Sequence, residues 1–300
     1  MNDSGAPFVR STDDCNTRWA QALLDRVAPG VRVSHVRARR HSSGTTTRLR
    51  VTVEHDGPQT LPRHWFVKST PGYWPIRILA SAAGLLANEV RFYQELADVV
   101  PVPVPRCVGA FHHRGRVLIV LEDLTVRGHR AGAAADVLSV PQAYRALALL
   151  ARLHAFGQTR LPAAARVWLD GGLNRAEARL GAWLAVPLMR RGLSAFGHRV
   201  SATLREHALV HARERAVREA RMRADAHTLK HHDCHPGNWF WHGLEPGLLD
   251  WQLCRMGDGA GDVAYLLATG MEAGLLERHE HTLLHWYCEC MSRLGVVTSI

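Results

Sequence analysis

Lysine is nearly missing from this chain of 300 residues: of 37 basic side chains, only Lys68 and Lys230 are lysines. Arginine therefore carries almost all of the formal net charge of +10. An arginine and alanine bias of this kind follows genome composition; its functional reading is attraction of nucleotide phosphates or an acidic substrate. A nucleic-acid module would need basic runs interleaved with aromatics. Only Arg37–Arg40 and 213–223 come near that pattern, and the second alternates with Glu214 and Glu219 like a solvated helix face. Six cysteines, at 15, 107, 234, 254, 288 and 290, show no disulfide-framework spacing. Reduced thiols are the expectation. No apolar run reaches the roughly eighteen residues of a membrane span, and the polar, acidic start MNDSGAPFVRSTDD is unlike a secretory signal. The chain is expected to be cytoplasmic, without internal repeats.

What is present is the stretch His231-His232-Asp233-Cys234-His235-Pro236-Gly237-Asn238, followed by Leu249-Asp250-Trp251. It offers a carboxylate, an amide oxygen five residues on, and a second carboxylate twelve residues later. Asn238 and Asp250 are hard oxygen donors of the kind Mg²⁺ accepts. Asp233 beside such a metal is placed to orient or accept the proton of an attacking hydroxyl. Two other readings stay open. His231, Asp233 and His235 also look like a transition-metal cluster of a hydrolase. Pro-Gly and Gly-Asn also make ordinary surface turns.

The motif HHDCHPGN with LLDWQ resembles the catalytic and metal-binding loops of the aminoglycoside phosphotransferase and choline kinase superfamily. The likeness is greatest to bacterial phosphotransferases grouped with the ecdysteroid kinase-like proteins. That resemblance implies a two-lobed, protein kinase-like α+β fold. It has a small antiparallel sheet lobe with one key helix and a larger, mostly helical lobe. Lobes at 1–121 and 122–300, with a hinge at about 121–125, are expected. The usual loop pattern is His-Gly-Asp-x-His-x-x-Asn, and here His232 stands where Gly is usual.

Four further segments carry the resemblance. Trp65-Phe66-Val67-Lys68 reads as a strand ending on lysine, which is seldom buried without a partner. The resemblance assigns Lys68 to nucleotide phosphates and Glu89, rather than Glu95, as its helix partner. The strands 31–38 and 47–54 flank a small, polar turn in which Ser43 and Gly44 would cover phosphates with backbone N–H groups. With one glycine, that turn is equally an ordinary hairpin. Glu122, Asp123 and Leu124 match the hinge, whose backbone would meet the base. Residues 126–136, rich in Gly and Ala, are expected to be mobile. Leu153-His154-Ala155 resembles the helix supporting the catalytic loop, and Asp262 the acid bracing it from below.

These segments imply ATP and Mg²⁺ as cofactors and transfer of the γ-phosphoryl group to a hydroxyl of a small molecule. Asp233 would be the catalytic residue, with Asn238 and Asp250 holding metal. Helices at 175–191 and 200–224, with Trp239 and Trp251, are expected to wall the acceptor pocket. The charge of +10 disfavours a polycationic acceptor. A nucleotide-binding pseudokinase is the alternative.

Overall fold

The computed structural model describes residues 8–43, 46–70, 85–113, 115–170, 172–224 and 228–296. Five strands form one antiparallel sheet in the order β1-β2-β3-β5-β4: β1 Val33–Ser43, β2 Thr47–His55, β3 His64–Ser69, β4 Cys107–His113 and β5 Arg116–Glu122. Side chains along a strand alternate between faces. Leu49, Val51, Val53, Trp65 and Val67 therefore enter one buried layer, while Arg48, Arg50, Phe66 and Lys68 point to the opposite side.

Helix α1 (Thr17–Val27) covers the first face with Trp19, Ala20, Leu23 and Leu24. Trp19 meets Trp65 edge-on at 5.9 Å. The helical pattern in the sequence begins at Asp13, but the helix starts at Thr17. Asn16 caps it by accepting the Trp19 N–H, and the Asp14 carboxylate takes the N–H groups of Arg10 and Ser11 instead. Gly30, at φ +91°, turns the chain after the helix, as Pro29-Gly30 predicts.

The other face carries α2 (Leu85–Glu95), whose Val90, Phe92 and Tyr93 are buried. Their core continues into the second half of the chain. It includes Leu147 and Leu150 of α3 (Val140–Thr159), Trp251, and Leu283. Phe92 stacks on Trp251 at 3.9 Å with 7° between the rings, a contact of about 1 kcal/mol beyond its burial. One continuous core thus holds residues from both sides of the 121–125 segment. Ser139 starts α3 with a reciprocal capping box to Gln142.

The second half adds α4 (Ala163–Leu169), α5 (Gly172–Phe196), α6 (Ala202–Ala224), α7 (Ala260–Gly270) and α8 (Ala273–Arg293). Between them run β6 (Arg130–Ala131), β7 (Thr228–Lys230), β8 (Trp239–His242), β9 (Glu245–Leu248) and β10 (Arg255–Gly257). β6, β8 and β9 form one small sheet, and β7 pairs with β10. The Gly/Ala-rich segment 126–136 is not the loose stretch its composition suggests. Gly132 N–H donates to Trp239 O at 2.8 Å, and Asp136 takes the Ala133 N–H and the Arg130 guanidinium. Gly132 lies against the Pro236 carbonyl so closely that a Cβ would collide with it. Composition could not show this long-range contact.

Among the described residues, no helix is long and apolar enough to cross a membrane. All six cysteines are free. Burial, aided by nearby carboxylates, pushes the Cys15 and Cys107 thiols up to about 12 and suppresses thiolate chemistry.

Candidate active site

The polar face of the sheet and the second half of the chain enclose a cleft. Its roof is His41, Arg48, Arg50, Phe66 and Lys68; its rear wall is Leu121 to Thr125; its floor includes Gly132, Gly237, Asn238, Leu249 and Asp250. Lys68 enters from β3 and Glu89 from α2. The Lys68 Nζ–Glu89 Oε1 distance is 2.6 Å with both groups buried. Gln252 Nε2 donates to the second Glu89 oxygen at 3.3 Å, and Asn88 Nδ2 donates to the Gln252 carbonyl. Glu95 instead accepts from the Trp168 indole, so the structure joins Glu89, not Glu95, to the lysine.

Burial alone would depress the Lys68 ammonium, but Asp250 and Glu89 together outweigh it and raise its pKa. Burial pushes the Glu89 carboxyl upward, with Lys68 opposing. The 2.6 Å contact to an ammonium held protonated keeps Glu89 a carboxylate.

The loop after β7 is fixed from below. Asp262, buried at the start of α7, accepts the His231 N–H at 2.7 Å and the His232 N–H at 2.9 Å. His154 lies between Asp262, at 3.5 Å, and the Tyr287 hydroxyl, at 2.7 Å. Burial of Asp262 would raise its pKa. The His154 hydrogen bond and the nearby Lys230 overcome that and hold the carboxyl well below the carboxylate range.

This clamp holds His232 at φ +73°, a left-handed conformation that glycine adopts freely. The backbone thus explains why Gly is usual at that point of the loop pattern. Desolvation of the His232 ring, with the nearby Arg255 and Lys230 cations, pushes its pKa below the ordinary value. His232→Gly relieves a strain of about 1–2 kcal/mol and adds unfolded-state freedom of about 0.5–1 kcal/mol. A net stabilisation of up to about 1 kcal/mol is expected in denaturant titration. A loss of stability would show that ring contacts outweigh the backbone strain.

His231 uses both ring nitrogens internally. Nε2 donates to Leu249 O at 2.7 Å, and Nδ1 accepts the Asp233 N–H at 3.3 Å. Burial lowers its pKa despite the neighbouring carboxylates, which keeps the ring neutral. His235 Nδ1 accepts the Gly237 N–H, and its Nε2 is 3.7 Å from Asp233 Oδ2. Among the described residues, no group of three or more His, Cys, Asp or Glu side chains has metal-binding geometry. The histidine-centred hydrolase reading therefore loses its ligand set.

Asp233 has 30% of its side chain exposed. Its Oδ2 accepts from Asn238 Nδ2 at 2.9 Å, and the Tyr265 hydroxyl is a second partner. Asn238 Nδ2 also donates to the Asp233 carbonyl, which turns the amide oxygen away from Asp233. Leu249 N–H donates to the Asn238 carbonyl at 2.8 Å and ties the two floor segments together. Asp250 follows at φ +60°, with Oδ2 3.5 Å from Lys68 and 3.7 Å from Arg48. Burial opposes its ionisation, but Lys68, Arg48 and His231 outweigh burial and lower its pKa. Oδ1 of this carboxylate is buried without a partner among the described residues. An orphaned carboxylate oxygen near an amide oxygen fits a hard divalent cation such as Mg²⁺.

The structure thus brings Lys68, Asn238 and Asp250 to one cleft, with buried Glu89 paired to Lys68 and Asp233 hydrogen-bonded to Asn238. Several expectations change. Glu122 N–H donates to Arg106 O and Asp123 N–H to His64 O, so neither is open to a base edge. The Glu122 carboxylate accepts the Arg106 N–H and pairs with Arg127. The Asp123 carboxylate caps Thr125 and pairs with Arg50. Leu124 lines the cleft at the start of a helical turn, where the first N–H groups have no intrahelical partner. Gly44 lies outside the described residues; of Ser43 the structure describes the backbone, paired with Thr47.

Trp239 and Trp251 are fully buried core residues, not pocket wall. Among the described residues, none from α5 or α6 lines the cleft; the two helices pack on each other. Arg48, Arg50, His41 and Tyr265 went unnoticed in the sequence. The period-2 pattern of β2, with Leu49 and Val51 buried, was the available signal for the two arginines.

A model described as the phosphotransferase enzyme family matches residues 38–295. No curated protein matches the chain. Among solved structures, a choline kinase from Cryptosporidium parvum Iowa II is 10% identical, with a TM-score of 0.56, covering 88% of this chain and 75% of that one. An aminoglycoside-3'-phosphotransferase of type VIII is 22% identical, with a TM-score of 0.41, covering 94% and 98%. A 2"-aminoglycoside phosphotransferase, solved as a complex with GDP and kanamycin, is 16% identical with a TM-score of 0.49, covering 93% and 83%. With that choline kinase this chain shares its overall fold.

Proposed function

The chain belongs to the phosphotransferase enzyme family, and from that premise we propose that it transfers the γ-phosphoryl group of ATP to a hydroxyl of a small molecule. One observation carries the reading. Lys68, Asn238 and Asp250 line a single cleft, and Asp233, outside that lining, hydrogen-bonds Asn238. Phosphoryl transfer needs this division, with charge neutralisation on one side of the phosphate and a proton acceptor on the other.

In this mechanism Lys68, fixed by Glu89, neutralises charge on the inner phosphates. The amide oxygen of Asn238 and the orphaned oxygen of Asp250 would hold Mg²⁺. Such an ion supplies charge neutralisation to the phosphate oxygens when bound. The Leu124 N–H and the apolar side chains of Phe66, Leu121 and Leu249 receive the base. Asp233 orients the acceptor hydroxyl and takes its proton late, with Tyr265 and Asn238 as its hydrogen-bond partners. Positioning and electrostatics supply most of the rate, because the transition state is loose.

The acceptor would approach Asp233 beside His232, His235 and Tyr265. With Arg255 near His232 and a net charge of +10, a neutral or anionic alcohol fits better than a polycation. We place the protein in the cytoplasm, where ATP is available, and divide it into a nucleotide lobe at 1–121 and a catalytic lobe at 122–300. The test is a panel of alcohols with ATP and Mg²⁺, followed by ADP release. Acceptor-dependent ADP release is expected for at least one non-polycationic alcohol. ATP binding without turnover on any acceptor would assign the protein as a non-catalytic nucleotide binder.

A further inference from the structure

Two cations in the cleft share one carboxylate oxygen. Strand register sets Arg48 of β2 directly opposite Lys68 of β3, so both side chains leave the sheet on the same face. Both reach Asp250 Oδ2, Lys68 at 3.5 Å and Arg48 at 3.7 Å. Lys68 also has Glu89 at 2.6 Å. Arg50, one repeat farther along β2, has its own partner in the buried Asp123 at 3.3 Å. Among the described residues, Arg48 pairs with only the carboxylate that Lys68 already approaches.

The Arg48 contact is long for a charge-assisted hydrogen bond, which closes to about 2.7–2.9 Å. Its Nε is buried without a partner among the described residues. A guanidinium offers five donors in a planar fork that matches phosphate oxygens. Here that fork borders the cleft with most of its donor capacity unused. The charges at this end, Lys68 and Arg48 against Glu89 and Asp250, balance without a ligand. A divalent cation on Asp250 would repel Arg48 from that carboxylate and leave a positive excess that polyphosphate oxygens would neutralise.

We propose that Arg48 is a second phosphate-binding cation that changes partners: Asp250 in the free protein, phosphate oxygens of a bound nucleotide once a divalent cation holds Asp250. This rests on the nucleotide-binding reading of the cleft. It makes Arg48 a competitor of the metal and a helper of the nucleotide, two effects of opposite sign on one residue. A purely structural Arg48 would support both ligands or neither.

The experiment uses the full chain and Arg48→Met, with ATP titrated by calorimetry at saturating Mg²⁺ and Mn²⁺ alone followed by electron paramagnetic resonance. ATP binding is expected to weaken on the order of tenfold or more, the worth of a charge-assisted hydrogen bond, while Mn²⁺ binds more tightly than in wild type. Arg48→Lys keeps the charge without the fork and is expected to lose part of the ATP affinity. Full wild-type ATP affinity in Arg48→Lys overturns the fork contact even if Arg48→Met fails to fold. Unchanged ATP affinity in Arg48→Met, or parallel loss of ATP and Mn²⁺ affinity, overturns the exchange. A wild-type chain that binds no ATP defeats the nucleotide reading itself, an outcome distinct from those two.

Discussion

Asp233→Asn is expected to abolish phosphoryl transfer while leaving ATP binding nearly intact. Asp233 does not line the nucleotide cleft; it hydrogen-bonds Asn238 and has 30% of its side chain open to solvent. The substitution keeps the size of the side chain but removes its capacity to take a proton. The Asp233 oxygen that accepts from Asn238 can persist as the amide oxygen, so the Asn238 orientation survives. Loss of a positioned base costs on the order of a hundredfold or more in turnover. Stopped-assay turnover and a calorimetric ATP titration on the same preparation separate the two effects. Near-normal turnover would remove Asp233 from the mechanism. Equal loss of turnover and ATP affinity would mean that it supports the nucleotide site instead.

Asp250→Ala is expected to remove most of the Mg²⁺-dependent gain in ATP affinity, on the order of a hundredfold where even a supporting shell costs ten- to a hundredfold. Its buried Oδ1 has no partner among the described residues, and its Oδ2 meets Lys68 and Arg48. Lys68 retains Glu89 in the variant, so ATP without metal should still bind. His235→Ala is expected to change the metal-dependent gain far less, because His235 Nδ1 holds the Gly237 N–H rather than facing the cleft floor. Titration of ATP with and without Mg²⁺ into both variants measures the difference. A larger effect from His235→Ala would restore a histidine-centred metal site.

Much of this arrangement was legible in the sequence because local rules govern it. Alternation along 47–54 and the apolar run 65–67 before Lys68 mark two strands, and Pro29-Gly30 marks a helix end; all three appear in the structure. The Lys68–Glu89 pair followed from resemblance, since periodicity alone left Glu89 and Glu95 open. What escaped depends on contacts across the chain. Gly132 is fixed by the Pro236 and Trp239 backbones, so a segment composed like a loose linker is anchored. The hinge N–H groups of Glu122 and Asp123 are engaged by Arg106 and His64, partners far apart in sequence. Trp239 and Trp251 looked available for an acceptor wall because sequence position says little about burial. His232 is the instructive departure: a non-glycine residue tolerated at φ +73° because Asp262 holds its own N–H and that of His231.

The most direct test of the central claim follows the phosphorus atom. Phosphorus NMR of ATP, Mg²⁺, the full chain and the alcohol that supports ADP release should show a new phosphate monoester growing in step with ADP. Asp233→Asn should produce none while still broadening the ATP resonances by binding. Appearance of inorganic phosphate in place of the ester, or of ester at the wild-type rate from Asp233→Asn, would contradict a cleft built for base-assisted transfer to an alcohol.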